Sequence, residues 1–297
     1  MNSHNELRRD LSDVLSESWV PLEGEVAAAT HQGHIRDNNE DSYFLMRFGR
    51  SLEKLATNLE DYFVEEDYSI TGYGFLVADG MGGMAAGDVA SRMAICKLIE
   101  LLVDTSDWTL ALKRNKDVKT VFERMTRRFY DIDRTLKQEA SSDHTLSGMG
   151  TTLTVAGTLG NDLVLGHVGD SRAYLLRGDI FRQLTRDHTL AQMLIDAGVA
   201  NSDDPAPRSM RHVLTAAIGS LDERIEPQVQ RFRLQPGDQL LLCTDGLTEM
   251  VDDELIASVL REAPSAQAAC DSLVDLALGA GGTDNITAVV GRFTPGA

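Results

Sequence analysis

The residues best placed to do chemistry in this sequence are carboxylates that stand beside glycines at the ends of apolar runs. Gly74-Phe75-Leu76-Val77-Ala78 runs into Asp79-Gly80, and Leu240-Leu241-Leu242-Cys243-Thr244 runs into Asp245-Gly246. Leu163–Val168 leads to Gly169-Asp170, and Gly281-Gly282-Thr283 brings Asp284-Asn285 to the start of the last apolar run, Ile286–Phe293. An apolar strand is a rigid mount, so a carboxylate at its tip is held in place without being buried. The neighbouring glycine lets the backbone approach a ligand and exposes a carbonyl oxygen. Four carboxylates presented this way, joined by Glu40-Asp41, make an oxygen-only cage. Such a cage suits Mg²⁺ or Mn²⁺ and disfavours Zn²⁺. Each motif alone has an ordinary explanation: Asp-Gly is a common turn pair, Glu40-Asp41 a solvated charge pair, and Asp284-Asn285 a cap or turn. Those explanations leave the repetition unaccounted for.

Charge and cysteine usage narrow the function classes. The chain has 297 residues, with Lys+Arg 28 against Asp+Glu 46 and a net charge of −18. A surface that negative repels phosphate backbones and anionic lipid, so neither nucleic acid nor membrane is an expected partner. Cys96, Cys243 and Cys270 are few, widely spaced and lack a Cys-x-x-Cys pair. They predict no disulfide framework and no zinc–cysteine site, and a reducing cytoplasm as the location. Met1–Asp10 is polar where a signal peptide needs an apolar run. The nearest approach to a membrane span, Met93–Val103, is interrupted by Lys97 and Glu100.

The elements that must position the carboxylates follow from periodicity. Residues 1–22 read as an appended helix (Leu7, Leu11, Val14, Leu15), and residues 23–297 as the main domain. Val26–Thr30 and Ser42–Met46 are expected strands around the polar loop His31–Asp41. Gly49–Thr71 reads as an insertion with one helix, on the step of Leu52, Leu55 and Leu59. Ala85–Val103 and Val118–Leu136 have helical periodicity. Thr151–Leu159 with Leu163–Val168, and Ala173–Leu176 with Ile180–Leu184, are hairpins across short glycine-containing turns. Asp187–Ile218 is expected to be irregular around Asp203-Asp204-Pro205-Ala206-Pro207. Gln228–Leu234, Gln239–Thr244 and Ile286–Phe293 are strands, and Asp253–Leu260 and Ala266–Leu278 are helices. Strands joined by hairpins, with no βαβ rhythm, predict an α+β fold of antiparallel sheets covered by helices.

The full set of motifs carries a resemblance. Arg36…Glu40-Asp41, Val77-Ala78-Asp79-Gly80-Met81-Gly82-Gly83, Gly148-Met149-Gly150-Thr151-Thr152, Val168-Gly169-Asp170-Ser171-Arg172, Thr244-Asp245-Gly246-Leu247 and Gly282-Thr283-Asp284-Asn285-Ile286-Thr287 occur in order from about Glu25 to Phe293. Together they resemble the metal-dependent, type 2C serine/threonine protein phosphatases, and the Met81-Gly82-Gly83 form resembles the bacterial branch. The resemblance implies a four-layer α-β-β-α sandwich with two central antiparallel sheets. It implies two Mn²⁺ or Mg²⁺ ions bridged by Asp79, with the Gly80 carbonyl on the first and Asp245 and Asp284 on the second. Asp170, with Asp245, would hold a weaker third ion. Glu40 and Asp41 would act through metal-bound water, and Arg36 would grip the substrate phosphate with its planar fork.

Two cations roughly 3.5–4 Å apart lower the pKa of a bridging water and clamp an in-line displacement at phosphorus. Direct attack by that hydroxide on phosphoserine or phosphothreonine is expected, with no phosphoenzyme. No Cys-x5-Arg loop is present to supply a thiolate, and Cys243 reads as core. Some relatives carry a histidine in the loop after the bridging Asp-Gly; here Met81 and Met84 stand there. Metal-bound water is the simpler proton donor, with His188 a secondary candidate. Residues 187–218 occupy the place of the family's substrate-facing flap. The expected partners are phosphorylated proteins and a serine/threonine kinase acting on the same targets, around a monomeric enzyme. The alternatives are a catalytically dead phosphoprotein-binding relative, a two-metal nuclease, and a partner-switching phosphatase. The intact carboxylates and Arg36 argue against the first, and the −18 charge against the second. Arg36 and the long flap argue against the third.

Overall fold

The computed structural model describes residues 22–53, 67–82, 86–103, 118–201, 210–220 and 225–296. The strands are β1 (Leu22–His31), β2 (Asp41–Glu53), β3 (Asp67–Met81), β4 (Gly150–Thr151), β5 (Leu153–Leu159), β6 (Asp162–Val168), β7 (Arg172–Arg177), β8 (Ile180–Gln183), β9 (Gln228–Arg233), β10 (Gln239–Cys243) and β11 (Ile286–Pro295). The helices are α1 (Ala86–Val103), α2 (Val118–Ser142), α3 (Leu190–Asp196), the single turn α4 (Asp245–Thr248), α5 (Asp253–Glu262) and α6 (Ala266–Gly279). One sheet runs β1-β11-β10-β7-β8. The other runs β2-β3-β5-β6-β9, with β4 paired to β3. Every pairing is antiparallel.

Three apolar layers hold four structural layers together. Phe75, Val77, Leu163 and Leu165 of one sheet meet Ala173, Leu240, Leu242, Val289 and Phe293 of the other. Alternate residues point outward: Leu76 and Ala78 lie against α1 and α2, and Leu241, Cys243, Ala288 and Val290 against α5 and α6. Strands buried on both faces need no polar alternation, which explains why β3, β10 and β11 read as continuous apolar runs. The result is the expected α-β-β-α sandwich.

Helix α1 packs through a stripe of small residues, Ala86, Ala90 and Ala94, with Leu98 beyond them, while Cys96 is exposed. Helix α2 buries Val121, Met125, Phe129, Ile132, Leu136 and Ala140 and runs six residues past the expected end. Asp252 and Ser265 cap α5 and α6, each accepting a backbone N–H.

The insertion departs from expectation. Leu52 lies in β2, and the β2–β3 ladder continues from Asp41↔Asp79 to Glu53↔Asp67. Once the strands are paired, each further residue satisfies its backbone groups across the ladder, and at Leu52 that pairing overrides the helical spacing. The rest of the expected helix, residues 54–66, lies outside the described residues, as does the N-terminal extension apart from Leu22, which is buried and opens β1. The expected strand from Thr151 is divided at Thr152, whose N–H donates to the Asp79 carbonyl at 2.9 Å. In the flap, Thr189 caps the short helix α3, and the return leg pairs Leu214 with Thr189 and Ile218 with Thr151. Residues 202–209, with the Asp-Pro run, are outside the described set. Among the described residues, no helix is long and apolar enough to cross a membrane.

Candidate active site

The polar loop between β1 and β2 is fastened to the opposite sheet by one side chain. Asn285 Nδ2 donates to the carbonyls of Gln32 and Asn38, both at 2.8 Å, and its Oδ1 accepts from the Glu40 N–H at 2.8 Å. His34 N–H also donates to the Gly282 carbonyl at 2.7 Å. Gly33 has φ +81°, and a Cβ there would stand 2.2 Å from the Asp284 carbonyl oxygen, so only glycine lets the loop lie so close. Arg36 and Glu40 are thereby brought against Asp284.

Register does the same for the central pair. Asp41 and Asp79 are direct cross-strand partners at the ends of β2 and β3. Like charges opposite each other destabilise a sheet unless something positive lies between them. Asp79 is held through its backbone: its N–H donates to Thr152 Oγ1 at 2.9 Å, and its carbonyl accepts from Thr151 Oγ1 at 2.8 Å. Gly80 is wedged so tightly that a Cβ would lie 2.0 Å from the Gly87 carbonyl oxygen and 2.9 Å from that of Glu40. Asp245 opens α4 directly after β10, with its carboxylate beside that of Asp79. Asp170 follows Gly169, whose φ of +113° sets it against Thr152.

Arg36, Glu40, Asp79, Gly80, Asp170, Asp245 and Asp284 all line one cleft of about 380 Å³. Asp41 is the exception. It is buried behind the cleft, with Oδ2 accepting from Thr244 Oγ1 at 2.8 Å and Thr287 Oγ1 at 2.6 Å. It is therefore seated on protein hydroxyls and is not a solvated charge in the loop, and Asp170, expected unburied at its strand end, is also buried.

Burial and mutual repulsion raise the proton affinity of the cluster. Desolvation pushes Asp41 up to about 7, against the opposing effect of its two threonine hydrogen bonds. Asp79 and Asp170 are held well above the usual carboxylate range by burial first and neighbouring carboxylates second. Asp245 and Glu40 are raised for the same leading reason. Asp41 Oδ1 and Asp245 Oδ1 are buried without any hydrogen-bond partner. Orphaned carboxylate oxygens in a nest of carboxylates are what bound cations would satisfy, and the all-oxygen donor set fits Mn²⁺ or Mg²⁺. Among the described residues, Arg36 supplies the one guanidinium lining the cleft, with Nη2 2.6 Å from Asp284 Oδ2 and its side chain half exposed.

The histidines fall differently from expectation. His188 does not line the cleft: its Nδ1 accepts from the Gly169 N–H at 3.1 Å, and its ring lies against buried His167 with centroids 5.1 Å apart. Burial pushes His188 below its usual range, so it is a neutral acceptor bracing the Asp170 loop. The histidine that does line the cleft is His212, on the flap's return leg, with Nδ1 2.6 Å from Glu249 Oε1. Thr152 and Asn285 also line it; the sequence motifs contain both, but the sequence assigns neither a role in the cleft. Met81 lines the cleft, whereas Met84 is outside the described residues. The flap's root is pinned by Arg172, whose Nε and Nη2 both bond the Asp187 carboxylate.

A guanidinium at the mouth of an acidic cleft, with unpartnered carboxylate oxygens that suit cations and backbone packed against Gly33 and Gly80, fits a cation-dependent hydrolase of phosphate esters. The comparisons agree. The family model for protein phosphatase 2C matches residues 48–276. The serine/threonine phosphatase Stp of Listeria innocua is 36% identical over 215 residues, 72% of this chain and 82% of the relative. The protein phosphatase PhpP of Streptococcus pneumoniae is 32% identical over 265 residues, 89% and 95% respectively. Among solved structures, the catalytic domain of the serine/threonine phosphatase PstP in complex with two manganese ions superposes with TM-score 0.70. It is 32% identical, covering 92% of this chain and 99% of that one. The chain belongs to the protein phosphatase 2C family and is a phosphoprotein phosphatase.

Proposed function

We propose that the protein hydrolyses phosphoserine and phosphothreonine in proteins, with two Mn²⁺ or Mg²⁺ ions held by Asp79, the Gly80 carbonyl, Asp245 and Asp284. The observation that carries this reading is the convergence of Asp79, Asp245 and Asp284 on one cleft, with a buried Asp245 oxygen left unpartnered. When bound, the ions supply positive charge and a water acidified enough to attack phosphorus at neutral pH. The chain's own groups do the rest. Arg36 orients the phosphate dianion by two parallel N–H donors, which a point charge cannot do. Thr151 and Thr152 fix the Asp79 backbone, so the bridging carboxylate is aimed before substrate arrives. Asp41 lies behind Asp79 and is aimed by Thr244 and Thr287. Glu40 lies beside Gly87 at the cleft wall, suited to hold water. Asp170 stands on the flap side, suited to a weaker third ion shared with Asp245.

Phosphoproteins made by a serine/threonine kinase are the substrates this reading implies, acted on by a cytoplasmic monomer. The family match and the named activities of Stp, PhpP and PstP support the substrate class. The test is hydrolysis of phosphothreonine, phosphoserine and phosphotyrosine peptides in a Mn²⁺ titration. Mn²⁺-dependent release from the first two, abolished by EDTA and by Asp79→Asn, is expected. Full activity in Asp79→Asn, or a preference for phosphotyrosine, contradicts it.

A further inference from the structure

One group among the described residues sets a nitrogen donor against two carboxylates: His212, Asp245 and Glu249. One ligand atom from each lies within 4.8 Å of the other two. Asp245 and Glu249 stand four apart on the turn that follows β10, where the Glu249 N–H donates to the Asp245 carbonyl at 2.8 Å. That spacing sends both side chains from the same face. His212 comes to them from the flap, its Nδ1 2.6 Å from Glu249 Oε1. Asp245 Oδ1 is closed to solvent and has no donor. A buried carboxylate oxygen left bare is costly, and a hydrogen bond between His212 and Glu249 does nothing for it.

We propose that His212, Asp245 and Glu249 form an auxiliary metal site on the flap side of the cleft, taking a transition-metal cation such as Mn²⁺ or Zn²⁺ in preference to Mg²⁺. It is distinct from the third-ion position implied for Asp170 with Asp245, because it includes a nitrogen ligand and a second carboxylate from the same turn. Mg²⁺ takes carboxylates, carbonyls and water, whereas imidazole suits the later divalent metals, so the histidine is what sets the preference. Donor atoms bound to one ion at roughly 2.0–2.2 Å sit about 3 Å apart. No separation here therefore has to close by more than about 2 Å. Asp245 is fixed at the end of β10 and Glu249 by the turn's hydrogen bond, whereas the His212 side chain is 62% exposed on the flap. His212 is the group that moves, and occupancy draws this leg of the flap down onto the cleft. The acidic site thus gains a part that senses which metal is present.

The site shares Asp245 and its bare oxygen with the two-ion centre, and to that extent it rests on that reading. Its test is pulsed electron paramagnetic resonance on the full chain loaded with Mn²⁺, because none of the other proposed ligands contains nitrogen. The expected result is ¹⁴N coupling from a directly bound imidazole that survives a tenfold excess of Mg²⁺. The coupling should vanish in His212→Gln and persist in Asp170→Asn, and Glu249→Gln should weaken Mn²⁺ binding at this site at least tenfold. His212 is exposed, so its variant folds, and circular dichroism checks this. Absence of ¹⁴N coupling at Mn²⁺ saturation, or its persistence in His212→Gln, overturns the site. If hydrolysis remains Mn²⁺-dependent in that case, the two-ion reading stands while this one falls.

Discussion

Replacing Asp41 by asparagine should stabilise the cation-free protein and impair the cation-loaded one. Asp41 is buried opposite Asp79, and its acidity is shifted from 3.8 to about 7. A pKa unit is worth 1.36 kcal/mol, so the ionised carboxylate costs on the order of 4 kcal/mol at pH 8 without cations. Asparagine keeps a carbonyl oxygen to accept from Thr244 and Thr287 and places an amide where the unpartnered Oδ1 faces the acidic cluster. Part of the cost should be recovered, about 1–3 kcal/mol, or a rise in Tm of roughly 5 °C. The sign with pH follows from proton counting. The folded chain holds the Asp41 proton up to about 7, the unfolded chain only to about 4, so cation-free wild type loses stability as pH rises through that window. The variant's advantage should be full above pH 7, shrink between 7 and 4, and be absent below 4. Asp79, Asp170 and Asp245 are raised in the same direction, and because the Asp41 charge is part of what raises Asp79, its removal relaxes that neighbour too and adds to the variant's advantage at high pH. Thermal melts in EDTA at pH 8, 6 and 4 measure this, and Mn²⁺ at pH 8 should reverse the order. A variant equally destabilised at all three values, or no reversal by Mn²⁺, refutes the reasoning.

Other substitutions probe the frame. Gly80→Ala puts a Cβ 2.0 Å from the Gly87 carbonyl oxygen, which is backbone and cannot swing aside. It should lower stability by about 2–3 kcal/mol in a denaturant melt and reduce Mn²⁺ affinity. Arg36→Lys keeps the charge but loses the fork, so kcat/KM on a phosphothreonine peptide should fall about tenfold, and Arg36→Ala further. Asn285→Ala removes three hydrogen bonds to the loop that carries Arg36 and Glu40. It should cost about 2–4 kcal/mol and raise KM, read by melts and steady-state kinetics.

Much of the candidate site was legible because Asp79 and Asp245 close apolar runs and Asp284 stands just before one. Asp79, Asp245 and Asp284 needed only a strand and a neighbouring glycine to be noticed, and the runs were continuous because both faces of β3, β10 and β11 are buried. Asp41 was harder. Its burial depends on Thr244 and Thr287, more than 200 residues away, meeting it across the two sheets. No local pattern encodes such a register. The choice between His188 and His212 was equally invisible, since both sit in polar flap sequence. Pairing of Leu214 with Thr189 decides it, by turning His188 back onto Gly169 and leaving His212 over the cleft. Leu52 misled for a related reason: its partner strand, not its own spacing, keeps it extended. Asn285 read as a cap or turn, and its role as the clasp of the β1–β2 loop, more than 240 residues away in sequence, emerged only from the three partners it finds.

The most direct measurement is anomalous diffraction at the manganese edge from crystals of the full chain grown with Mn²⁺. Two strong peaks inside the cleft, with Asp79 touching both and Asp245 and Asp284 on one of them, are predicted. Manganese bound away from these three side chains, or a single ion that Asp79 does not touch, would contradict the account.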